Sequence, residues 1–80
     1  MKLSIYSLRK TLYSGEAKAI NCQTTAGEIT ILDNHRPLIS IIKDGVIKIT
    51  DEKDGEYFVK ATFGFLEVKP ENEIRFIVTE

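Results

Sequence analysis

A chain of 80 residues with 42% hydrophobic and 29% charged side chains holds one hydrophobic core, in a single domain spanning residues 1–80, and is too apolar to stay disordered. Its formal net charge of −1, with eleven basic residues scattered among twelve acids, counts against a nonspecific polyanion binder. No apolar run approaches the roughly 20 residues that span a bilayer, the N-terminal stretch lacks the features of a signal peptide, and a single cysteine, Cys22, excludes an internal disulfide and fits a reducing compartment.

Taken in chain order, the periodicity is that of strands. Leu3 and Ile5 alternate with Lys2, Ser4 and Tyr6, a period of two. Residues 7–19 are the only stretch that competes for helix, and Ser14–Gly15 divides it. Ile20 and Cys22 then share one face, with Asn21 and Gln23 on the other. Gly27–Glu28 opens a short strand through Leu32. It breaks on Asp33–Asn34, a pair that tolerates the left-handed backbone; His35, Arg36 and Pro37 follow.

From Leu38 to Ile42 both faces are apolar, Leu38 and Ile42 against Ile39 and Ile41. Two readings fit: a partner protein covers the surplus face, or the strand crosses between sheets and is buried on both sides. Asp44–Gly45 suits a positive-φ turn before an alternating strand to Thr50. A charged turn with a second Asp-Gly pair leads to a long aromatic and β-branched run, Tyr57–Lys69, where Gly64 marks a bulge or a new strand. Pro70 leads a turn, and Ile74, Phe76 and Val78 share a face of the closing strand. Turn signals recurring roughly every ten residues point to an all-β protein: a two-sheet β-sandwich or flattened barrel of about eight to ten short strands.

Catalytic chemistry is poorly served. Cys22 and His35 lack a nucleophile turn and an orienting partner at any recognisable spacing. One His and one Cys fall short of a structural zinc site, and Asp51, Glu52, Asp54 and Glu56 lack the spacing of a calcium loop. No glycine-rich phosphate motif occurs. The expectation is a non-enzyme with no metal and no cofactor. Tyr57, Phe58, Phe63 and Phe65, with Lys60 and Lys69 nearby, leave one alternative, a small β-barrel that binds single-stranded nucleic acid. Their placement on both faces of a strand favours core and partner surface instead.

Five features stand in a suggestive order: Ser14–Gly15, Gly27–Glu28, His35, Pro37–Leu38 and Gly64 through Val68. Together they resemble the epsilon subunit of the rotary ATP synthase in its N-terminal β-sandwich domain. The likeness runs over essentially the whole chain. It departs at Asp33–Asn34, where the family favours Pro-Gly, and at Thr62–Phe63, where small residues are usual. The resemblance implies a non-catalytic rotor subunit that links the gamma subunit to the c-ring and couples rotation to ATP synthesis or hydrolysis. Such a subunit is peripheral, without membrane insertion, on the cytoplasmic side of the inner membrane. Carried over by position, Glu28 and His35 match c-ring contacts and are expected close together on one rim. Ser7, Ser40, Ile39 and Ile41 match positions beside gamma. Longer relatives continue into a helical hairpin that confers ATP-relieved inhibition; with none after Glu80, that inhibition is not expected here.

Overall fold

The computed structural model describes residues 1–79. Nine strands account for most of them: β1 (Lys2–Tyr6), β2 (Thr11–Glu16), β3 (Ala19–Thr24), β4 (Gly27–Leu32), β5 (Leu38–Ile42), β6 (Gly45–Thr50), β7 (Glu56–Ala61), β8 (Phe63–Lys69) and β9 (Glu73–Thr79). The two-residue period read from the sequence is the physical cause. Successive side chains of a strand point to opposite faces, so alternate apolar residues collect on one side. Leu3 and Ile5 of β1, Ile20 and Cys22 of β3, and Ile74, Phe76 and Val78 of β9 are all buried in the same core. Residues 11–16, in the stretch that competed for helix, form β2 against β1.

Neighbouring strands follow the order β2-β1-β9-β8-β5-β3-β6-β7, with β4 added on β3. Every pairing is antiparallel except β1 with β9. β5 meets β3 at one residue pair only, Ile42 with Thr24. The path therefore divides into a five-stranded sheet, β2-β1-β9-β8-β5, and a four-stranded sheet, β4-β3-β6-β7, packed over the core.

One ribbon serves both sheets. β5 pairs with β8 from Leu38↔Val68 to Ile42↔Gly64, and β6 pairs with β7 from Gly45↔Ala61 to Thr50↔Glu56, all in a single unbroken register. The ladder lapses only around Lys43–Asp44 and Thr62, where the ribbon passes from one sheet to the other. There the inward face changes phase. Ile42, Gly64, Leu66 and Val68 are buried on one side of the corner, and Ile47, Ile49 and Ala61 on the other. Leu38–Ile42 thus belongs to a strand that does cross between sheets, yet Ile39 and Ile41 remain exposed.

This corner corrects one expectation. Gly45 does not adopt positive φ, and Asp44–Gly45 is the sheet crossing, not a tight turn. In the second Asp-Gly pair it is Asp54, at φ 65°, that takes the left-handed backbone. Asn34 adopts it too, at φ 62°, as the short side chains of Asp33–Asn34 allow. Gly64 is required for a different reason. A Cβ there would lie 2.3 Å from the Ile77 carbonyl oxygen and 2.7 Å from Val78 Cα, so β8 and β9 approach too closely for any side chain.

The interior is satisfied chemically. The one buried polar side chain among the described residues, Thr24, donates to the Gly27 carbonyl at 2.8 Å and accepts from the Ala26 N–H at 3.1 Å. Burial pushes the Cys22 thiol up to about 11, because the apolar interior cannot solvate a thiolate.

Two outcomes follow from the packing. Gly64→Ala should destabilise the domain by about 1–3 kcal/mol, the range for forcing extra atoms into a packed core, read as a lower urea midpoint. Above pH 9 the unfolded chain's thiol ionises while the folded one stays protonated until about 11. Stability should therefore fall as pH rises through that window, by an amount on the order of 2 kcal/mol. Cys22→Ala should remove that part of the alkaline loss in parallel melts.

Candidate interaction surface

The outward face of the five-stranded sheet is built by register. Tyr6 pairs with Ile77, Ile77 with Phe65, and Phe65 with Ile41. These four side chains form one lateral row across β1, β9, β8 and β5, since directly opposed residues share a face. Phe63 meets Phe65 edge-on, with ring centroids 5.7 Å apart and planes at 75°. Ile39, 76% exposed, stands two residues along β5. Phe65 and Ile77 are each 49% exposed, and a shallow cavity of about 170 Å³ opens between Ile39, Phe65, Glu67, Arg75 and Ile77. An outward sheet face is ordinarily polar; a contiguous apolar row of this kind marks a contact surface.

The neighbouring row is polar up to its last member, Ile39. Ser4, Arg75, Glu67 and Ile39 lie side by side in register, and the Arg75 guanidinium donates to Glu67 at 2.7 Å. Beyond it Lys69 and Glu73 pair at 3.8 Å. The face therefore has an apolar centre with a charged margin, the usual plan of a protein–protein contact.

The residues matched by sequence to the gamma side are only partly assembled. Ile39 and Ile41 share this face. Ser7 lies at its margin in the turn after Tyr6, its hydroxyl donating to the Lys10 carbonyl at 3.3 Å, with Thr79 lining the same depression. Ser40 is on the reverse side, half-buried opposite the buried Leu66. Sequence reasoning missed Tyr6 and Ile77, and took Phe63 and Phe65 as part of an aromatic run. The burial of Gly64, Leu66 and Val68 fixes their phase, a signal present in the period of residues 63–68.

The aromatics do not form a common platform. Phe63 and Phe65 lie on the five-stranded sheet, whereas Phe58 lies on β7 of the other. Tyr57 closes the seam between β7 and β2, 5.6 Å from Tyr13 by ring centroids. Its hydroxyl donates to Asp51 at 3.1 Å. Asp51 in turn accepts the N–H groups of Lys53 and Gly55 at 2.9 and 2.8 Å. These backbone donors hold its carboxyl below the usual range, so its oxygens brace the turn.

Glu28 and His35 are not brought together. β4 stays paired with β3 from Thr24↔Gly27 to Ala19↔Leu32, leaving Glu28 near its start, beside the hairpin tip. His35 follows its end, with its N–H donating to the Leu32 carbonyl at 3.2 Å. About 13 Å of strand separates Glu28 from Leu32. The expected shared rim fails because the Asp33–Asn34 turn leads onward to β5 and does not fold back along β4. His35 is half-buried, with Nδ1 2.8 Å from the Arg36 carbonyl oxygen.

The sequence from residue 1 to 80 matches the family model described as ATP synthase, delta/epsilon chain, β-sandwich domain. The chain belongs to this family. Among solved structures, a chain of the Euglena gracilis mitochondrial ATP synthase, from an assembly that includes the c-ring, is similar at TM-score 0.91 and 18% identity. The match covers 98% of the present chain and 49% of that one. A chain from the central stalk and c-ring of the Tetrahymena thermophila mitochondrial ATP synthase is similar at TM-score 0.84 and 16% identity, covering 100% and 63%. The delta/epsilon sandwich described here thus spans about half to just under two thirds of those two chains. No helix among the described residues is long and apolar enough to cross a membrane.

Because the apolar row stands on the surface, substitutions in it should be tolerated by the fold. Ile39→Ser should shift the urea midpoint by the equivalent of about 0.5 kcal/mol or less, in contrast to the buried Leu66→Ser on the opposite face of the same sheet, which should cost several times more.

Proposed function

We propose that this chain, as a single domain of residues 1–80, is a non-catalytic central-stalk subunit of an ion-translocating ATP synthase. It links the gamma subunit to the c-ring, so that rotation is coupled to ATP synthesis or hydrolysis. It is peripheral, on the cytoplasmic side of the inner membrane. The observation that carries the reading is the apolar row Tyr6–Ile77–Phe65–Ile41 on a sandwich of the delta/epsilon family. The two solved structures compared above both come from ATP synthase assemblies that include the c-ring, one of them with the central stalk.

In this reading gamma covers the apolar row, with Ile39 and Ile41 as anchors, Ser7 at the margin, and Ser40 supporting β5 from beneath. Burying a half-exposed Phe or Ile against a partner is worth about 1–2 kcal/mol each, enough for a handful of them to hold a rotor together. Glu28 and His35 remain the proposed c-ring contacts. They lie at opposite ends of β4, so only the end turned toward the ring makes contact there.

Binding to purified gamma subunit tests the reading. Ile41→Asp and Phe65→Asp should each weaken it at least tenfold, as charged groups do at the centre of an apolar contact, while leaving the fold intact. Unchanged affinity in both variants would overturn the assignment of this face. Binding to oligonucleotides that collapses as salt rises, with no binding to gamma, would favour the nucleic-acid alternative. Of Glu28→Ala and His35→Ala, one alone should reduce attachment to the membrane sector in a reconstituted complex.

A further inference from the structure

The four-stranded sheet ends at β7 without a covering strand. Among the described residues β7 pairs only with β6, from Gly45↔Ala61 to Thr50↔Glu56, and no backbone hydrogen bond joins it to another element. An edge left in this way presents a row of donors and acceptors to any strand that can match it. The edge is also regular: Glu56–Ala61 holds no glycine, proline or bulge. Across the seam, β2 carries Gly15 and a register shift against Ile5–Tyr6. A cleft of about 440 Å³ lies beside Phe58, Val59 and Lys60, lined also by Leu12 of β2.

The order of side chains along this edge decides which strand fits it. Tyr57 and Val59 are registered with the buried Ile49 and Ile47, so they face the core side. Glu56, Phe58 and Lys60 are exposed on the outward side, where Glu56 pairs with Lys48 at 3.1 Å. Set two copies of β7 antiparallel, edge to edge, with Phe58 opposite Phe58. Glu56 of each copy then faces Lys60 of the other, and Tyr57 of each faces Val59 of the other. Opposite-charge, aromatic–aromatic and aromatic–β-branched pairs are the kinds that stabilise neighbouring strands. A slip of one residue would turn the core side of one copy outward, and a slip of two would set a charge against Phe58. We propose that β7 is a self-association edge, at which two copies of this chain pair antiparallel about a two-fold axis at Phe58 and join their four-stranded sheets into one. Each copy uses up its own edge in the contact, so association closes at the dimer. The apolar row lies on the other sheet and stays free, which makes this pairing independent of the stalk assignment.

Sedimentation velocity on the purified protein over a range of concentrations tests the pairing. A dimer that dissociates on dilution is expected, since one short strand pair is a small contact. Lys60→Glu and Glu56→Lys, each alone, should weaken dimerisation roughly tenfold or more, because like charges then face one another on both sides of the axis. An equimolar mixture of these two variants should recover it as a heterodimer, in which every introduced charge faces its opposite. Phe58→Lys should abolish it by placing two cations at the axis. The three side chains are exposed, so urea midpoints should stay close to that of the parent protein. A protein that is monomeric up to about 1 mM would overturn the proposal, as would a dimer indifferent to these changes or a mixture no tighter than the single variants. A dimer dissolved by Phe65→Asp but not by Phe58→Lys would overturn it too, placing the contact on the apolar row. A monomeric protein whose gamma binding falls with Phe58→Lys would give the edge to that partner instead.

Discussion

The constraint on which the structure turns is the phase change in the β5–β6 and β7–β8 ribbon. Its inward-facing positions are even-numbered through Ile42 and odd-numbered from Ile47, and on the returning arm the parity changes between Ala61 and Gly64. A flat ribbon would bury one set and expose the other. Both sets reach one core only if the ribbon turns its face at Lys43–Asp44 and Thr62, which is where its ladder lapses. The corner costs a few backbone hydrogen bonds within the ladder. It gains a common core for two sheets that otherwise touch along β5 and β3 at a single residue pair.

The outward apolar row is a by-product of the same phase. Once Ile42, Gly64, Leu66 and Val68 face inward, Ile41, Phe63 and Phe65 must face outward, and the β8–β9 register brings Ile77 alongside. The core and the exposed apolar row are thus written in alternate residues of the same segments. Substitution on one parity tests the core, and substitution on the other tests the surface. Gly64 sits among the inward residues as the point where β9 approaches β8 backbone to backbone.

What the sequence disclosed was whatever depends on near neighbours. Alternation in residues 2–6, 20–24 and 74–78 gave strands and their buried faces, and Asp33–Asn34 declared its left-handed turn through side-chain chemistry. What stayed hidden depends on register between distant segments. Tyr6 and Ile77 become surface neighbours only because β1 runs parallel to β9, a pairing that no local pattern encodes. Ser40 could not be told from Ile39 and Ile41 by family position, although one residue of strand separates the two faces. Glu28 and His35, seven positions apart, were drawn together by family likeness. The straight β3–β4 pairing holds them apart. Gly45 misled because Asp-Gly usually signals a tight turn, while here the pair lies where a sheet bends.

The parallel pairing of β1 with β9 has a consequence for how the molecule comes into being. β9 lies in the interior of the five-stranded sheet, between β1 and β8, and it is the last of the nine described strands in chain order. Until it emerges from the ribosome, β1–β2 and β8 are separate pieces with open edges and exposed inward faces. Pairing the first strand with the last also demands closure of nearly the whole chain, the kind of long-range contact that slows folding. The domain is therefore expected to assemble late and nearly all at once, with unpaired edges needing protection in the interval.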